Sequence, residues 1–130
     1  MPTIKGKFEI QSSAEPPYDV TDGVTLGRMR FDKQFSGPLE AKSVVQMTYA
    51  RTPVQNSAGY VAVERIEGTV EGRQGSFVVL HTGLMDRGVD SLTITVVPDS
   101  ATGALSGMTG TMRITIVDRQ HFYELDYSLP

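Results

Sequence analysis

The feature that most constrains this chain is an alternation of period two that recurs along its length. In TIKGKFEIQ, Ile4, Phe8 and Ile10 fall on one side and Lys5, Lys7 and Glu9 on the other. In VTLGRMRFDKQF, Met29, Phe31 and Phe35 oppose Arg28, Arg30 and Asp32, and in LEAKSVVQMTYA, Val45, Met47 and Tyr49 line up. Successive side chains of a strand point to opposite faces, so this pattern describes half-buried strands. No stretch carries the i, i+3, i+4, i+7 apolar pattern between caps that a helix needs. Glycines and prolines, 13 and 7 of them, fall at intervals that suit strands. The sequence predicts about eight strands with short turns and antiparallel neighbours. SSAEPPYDVTDG reads as an irregular connection, and PDSATGALSG as a long glycine-bearing one. A single domain over residues 1–130 is the simplest parse.

Two hairpins permit a prediction of register. In the closing one, Ile116 opposite His121 places Ile114 opposite Tyr123, Met112 opposite Leu125 and Arg113 opposite Glu124. That arrangement gathers Met112, Ile114, Ile116, His121, Tyr123, Leu125 and Tyr127 on the inner face and leaves a charged pair outside. In GYVAVERIEGTVEGRQGSFVVLHTG, residues 59–83, a turn at Arg73-Gln74 would pair Gly72 with Gly75 and Ile66 with His81. Glu64 and His81 then point inward together, one diagonal step apart, while Arg65, Glu67, Thr69 and Glu71 face water. A sheet of this size must dispose of its edges, and closure into an antiparallel barrel does so. An open β-sandwich is the alternative.

The segments GYVAVE at 59–64, GSFVVLHTG at 75–83, VVPDSATGALSGMTG at 96–110 and HFYELDY at 121–127 resemble a family of small bacterial proteins of unknown function. The resemblance implies an eight-stranded barrel similar to allene oxide cyclase, a plant enzyme that binds an apolar fatty-acid epoxide in its interior. A shared fold carries no activity with it, and no catalytic motif of the cyclase maps onto these residues.

Several classes of function are set aside. Net charge is -3 with no Lys/Arg cluster, so nucleic acid is not an expected partner. Without cysteine there is no thiol catalysis, disulfide or thiolate site, and two histidines do not make a histidine-rich metal centre. No cofactor is expected. SATGALSGMTG lacks the Gly-Lys-Ser/Thr of a phosphate loop, Asp86, Asp90 and Asp99 lack calcium-loop spacing, and no G-x-S-x-G is present. No apolar run of membrane-spanning length occurs and the amino terminus has no signal-like core, so the expectation is a cytoplasmic protein without membrane contact.

The remaining candidate site is the barrel interior. Glu64 and His81 would hold the polar end of one small, largely apolar ligand, with Met47, Tyr49, Phe77, Met112 and Tyr123 as the wall. The plainer reading is a satisfied buried pair that fixes register. An isomerase or cyclase in which Glu64 or His81 moves a proton is the enzymatic alternative. A structural module is the third: Val78 and Leu80 beside Val61 and Val63 would form an outward apolar strip and a homo-oligomer, a dimer on symmetry grounds.

Overall fold

The computed structural model describes residues 2–130. Nine strands follow one another: β1 (Thr3–Ala14), β2 (Asp19–Thr21), β3 (Val24–Ser36), β4 (Leu39–Arg51), β5 (Ala58–Val70), β6 (Arg73–Asp86), β7 (Val89–Val96), β8 (Thr109–Val117) and β9 (Gln120–Ser128). Each pairs antiparallel with its neighbour in the order β1-β9-β8-β7-β6-β5-β4-β3-β2, and β1 also pairs with β3. That last pairing, with Phe8 opposite Phe35, closes eight strands into a barrel and removes the free edges. β2 is the extra strand.

β2 also corrects the expectation of an irregular connection around Pro16. It pairs with the same edge of β3 that β1 uses, Val20 opposite Thr25, beyond the β1 pairing of Ala14 with Met29. β1 and β2 are one long strand interrupted at Pro16-Pro17, where the prolines have no N–H for the ladder. The backbone resumes at once, with Tyr18 N–H donating to the Leu26 carbonyl at 3.0 Å.

The closing hairpin has the predicted register: Ile116 faces His121, Ile114 faces Tyr123, Met112 faces Leu125 and Arg113 faces Glu124. Its turn is Asp118-Arg119, both at positive φ, and Gln120 already pairs with Val117. Ile116 departs from its expected burial; it is 62% exposed because the barrel wall is open beside it. The 59–83 hairpin turns earlier than predicted. Glu71 at φ 48 and Gly72 at φ 83 supply the two left-handed residues of a tight hairpin turn, and Val70 pairs with Arg73. His81 therefore faces Ala62, and Glu64 faces Val79. The register differs by an even number of residues, so every side chain keeps its predicted face.

The two ends of the barrel are unlike. The connection after β7 contains a short 3₁₀ turn, Gly103–Leu105, that carries Leu105 and Met108 into the core. It is stitched to β6: Thr102 N–H donates to the Ser76 carbonyl at 2.8 Å and Val78 N–H to Ser100 Oγ at 3.1 Å. Gly75 makes the approach possible, since a Cβ there would meet the Thr102 carbonyl. With Leu39, Val70, Phe77, Leu125 and Tyr127 this plug seals one end. At the other end, inward-facing Met29, Phe31, Met47, Tyr49 and Tyr60 stay half-buried.

Candidate functional site

Between the sealed and open ends, four neighbouring strands each contribute one polar side chain to the interior: Lys33 from β3, Ser43 from β4, Glu64 from β5 and His81 from β6. Register brings them together. Lys33 pairs with Ser43, Glu64 pairs with Val45 two residues along from Ser43, and His81 lies diagonal to Glu64. All four are buried, Glu64 completely. Glu64 Oε1 receives His81 Nε2–H at 2.8 Å and Lys33 Nζ–H at 3.3 Å; Oε2 receives the Ser43 hydroxyl at 2.5 Å. The Lys33 ammonium also lies over the Phe8 ring, 4.7 Å from its centroid. His121 stacks on the far neighbour of this group, its ring 5.2 Å from that of Phe8.

The electrostatics follow from these contacts. Burial pushes the Glu64 carboxyl up, but the His81 hydrogen bond, the Lys33 charge and the Ser43 hydroxyl outweigh it and hold the group below its ordinary value. Glu64 is thus an anion that only accepts, so His81 must present Nε2–H to it. Nδ1 of His81 has no protein hydrogen bond among the described residues. No buried side-chain nitrogen or oxygen there lacks a partner, so Nδ1 opens on solvent-reachable space. Both Glu64 oxygens are committed. The free hydrogen-bonding capacity of the layer includes Nδ1 of His81, the remaining N–H groups of Lys33 and the Ser43 oxygen as an acceptor.

Glu64 and His81, predicted to share the interior, are in direct contact. The other five predicted residues divide. Met47 and Tyr49 stand on the open side of the polar layer. Phe77 and Tyr123 belong to the packed, sealed half; Met112 is buried against Ile94, beside His81. Tyr123 ties β9 to the β3–β4 turn, its hydroxyl donating to Ser36 O at 2.9 Å and accepting Leu39 N–H at 3.0 Å. Lys33 and Ser43 were not anticipated. The signal for Lys33 was present: the alternation that sends Phe31 and Phe35 inward sends Lys33 with them.

Tyr49 and Tyr60, opposite one another, splay apart across the wall. Tyr49 lies over Gly27 of β3 and Tyr60 over Gly83 of β6, where a Cβ would collide with either ring. Neither ring therefore has to cross the interior. A depression of about 1380 Å³ runs along β1, β3, β4 and β5, and Lys33 and Ser43 of the polar layer, with Phe8, Ile10 and His121, line part of it. Its outer side, where Lys7, Lys42 and Arg65 alternate with Glu9, Asp32 and Glu67, presents no field of one sign. Among the described residues no group of His, Asp or Glu is placed to hold a metal ion, and no helix is long and apolar enough to cross a membrane.

Comparison with known proteins agrees with the fold. The family model described as a protein of unknown function (DUF3224) matches residues 4–127. The chain belongs to that family. The crystal structure of a DUF3224 protein of unknown function from Shewanella oneidensis MR-1 superposes with a TM-score of 0.94 at 46% identity, over 100% of this chain and 98% of that one. No curated protein matches. In this DUF3224 chain the interior polar layer is thus the point from which a function has to be argued.

Proposed function

We propose that this chain is a cytoplasmic binding protein that takes one small, largely apolar molecule into the open half of its barrel. Glu64 and His81 anchor the ligand's polar end. Glu64 does so indirectly, by fixing the tautomer of His81, while Nδ1 of His81 and Lys33 make the contacts. Met47 and Tyr49 line the wall, and Phe77, Met112 and Tyr123 form the base beneath. The observation that carries this reading is Nδ1 of His81, which has no protein partner among the described residues although the side chain is buried. Concave apolar sites with a few placed polar groups are the usual form of small-molecule sites. An isomerase or cyclase would assign its proton to His81, since the Glu64 carboxylate is already held as an anion by three donors; binding is the reading we favour.

The test is mass spectrometry of an organic extract from freshly purified protein, alongside His81→Ala and with titration of a neutral apolar fluorophore. A stoichiometric small molecule, lost from the variant, is the expected result. An empty extract together with no fluorophore binding would refute it.

A second reading rests on the outer wall. Val63 faces Leu80 across β5 and β6, both exposed, with Val61 and Leu84 exposed beside them. An apolar strip of this kind suits self-association as a dimer. Sedimentation should then show a dimer that Leu80→Glu dissociates; a monomer at tens of micromolar (about the range of ordinary assays) argues against it.

A further inference from the structure

The barrel wall is not continuous. β6 and β7 pair from Val79 with Val96 through to Asp86 with Val89, and β8 and β9 pair from Thr109 with Ser128 to Val117 with Gln120. β7 and β8 meet only at Ile94 with Met112 and Thr95 with Thr111. Toward the open end, residues 89–93 of β7 and 113–117 of β8 each have a strand neighbour on one side only. The hairpins β6–β7 and β8–β9 splay apart there and leave a wedge. Strand lengths deepen it: β3, β4 and β5 have 13 residues and β6 has 14, whereas β7, β8 and β9 have 8, 9 and 9.

Side chains in the wedge carry its mark. Leu92 and Ile116 face inward by alternation, yet they are 43% and 62% exposed. Inward residues at paired positions on the tall side, such as Val45 and Ala62, are buried. Continued one step, the ladder of Ile94 and Met112 would set Leu92 against Ile114. The wedge narrows to Ile94, which pairs directly with His81. Its outward flanks are Ser91, Thr93 and Thr115, with Arg113 beside them held to Glu124 and Asp126 of β9. On the opposite side the wall is continuous, with β4 and β5 paired out to Arg51 with Ala58 and Tyr49 and Tyr60 laid along it over glycines.

We infer that the β7–β8 wedge is the lateral entrance through which an apolar, uncharged molecule reaches His81, and that Leu92 and Ile114 set what passes. This rests on the interior-binding reading above. Slim or flat molecules enter between two diverging strands, whereas bulky branched ones are held back at the apex.

The chain has no cysteine, so a Leu92→Cys, Ile114→Cys pair can be oxidised without competing thiols. Stopped-flow association of N-phenyl-1-naphthylamine, a neutral apolar fluorophore, should slow by at least about tenfold in the oxidised form and recover on reduction, because a closed route makes binding wait for an opening step. Affinity at equilibrium should change little. Equal rates in both forms would overturn the entrance while leaving interior binding intact. No fluorophore binding even in the wild type would sink the interior-binding reading itself. Should the disulfide fail to form, Leu92→Trp must slow association and Leu92→Ala must speed it; rates unmoved by either also refute the entrance.

Discussion

Removing the Glu64 charge is the sharpest perturbation the structure offers. Glu64→Gln keeps the shape of the side chain but leaves the Lys33 ammonium buried without its counter-ion. Lys33 Nζ lies 3.3 Å from Glu64 Oε1, with side-chain exposures of 5% and 0%. At an effective dielectric of about 20 the gross attraction at that separation is about 5 kcal/mol. The expected net loss is therefore about 3–5 kcal/mol, typical of breaking a buried pair from one side. That is a large part of the stability of a domain this size, about 5–15 kcal/mol. Lys33→Met together with Glu64→Gln removes both charges and should recover most of the loss. Urea unfolding of wild type, both single variants and the double variant measures the coupling directly. A Glu64→Gln loss below about 1 kcal/mol, in the range of an exposed pair, would refute the reasoning. The pH dependence has a definite sign. Glu64 is held below its ordinary 4.5 in the folded state, so its contribution is complete above about 4.5 and is lost as pH falls through the lower folded value. The acid limb of wild-type stability should be shallower in the double variant.

Other outcomes follow from the sealed end and the wall. Leu105→Ala empties the plug and should cost about 2–5 kcal/mol by urea unfolding. Tyr123→Phe leaves the Leu39 N–H, buried beneath the β3–β4 turn, without its acceptor, which should cost about 1–3 kcal/mol and speed amide exchange at Leu39. Gly83→Val drives a side chain into the Tyr60 ring, so the ring must swing into the interior; fluorophore affinity should fall more than stability does. Arg113 bonds Glu124 and Asp126 from an exposed position, and Arg113→Ala should leave the urea midpoint unchanged.

Alternation made the fold class and the inner face legible, because period two survives any even error in register. The turn at Glu71-Gly72 was misplaced to Arg73-Gln74, yet Glu64 and His81 still point inward together. Three features lay beyond that reach. The plug at Leu105 and Met108 depends on a non-repetitive backbone that has no period to detect. Pro16-Pro17 looked like the end of a strand because the missing N–H is a local signal, while re-pairing with β3 is a long-range one. The polar layer was half legible: Glu64 and His81 stand out, whereas Lys33 and Ser43 share the inner side of their strands without any local signal that ties them to Glu64.

The stability of the double variant also decides what the polar layer is for. A buried ion pair is weak support for a fold, since apolar replacements of similar volume are often neutral or stabilising. If Lys33→Met, Glu64→Gln folds as stably as the wild type, the barrel does not need these charges to close, because register is already fixed by the alternation and the β1–β3 pairing. Their presence then has to be explained by what they do at His81, where Glu64 selects the tautomer that leaves Nδ1 without a protein partner. If instead the double variant is as unstable as Glu64→Gln alone, the layer is a structural element that locks β3 through β6 together, and the case for a ligand at His81 loses its main physical motive. The two outcomes are separated by about 3 kcal/mol, well outside the error of a urea midpoint.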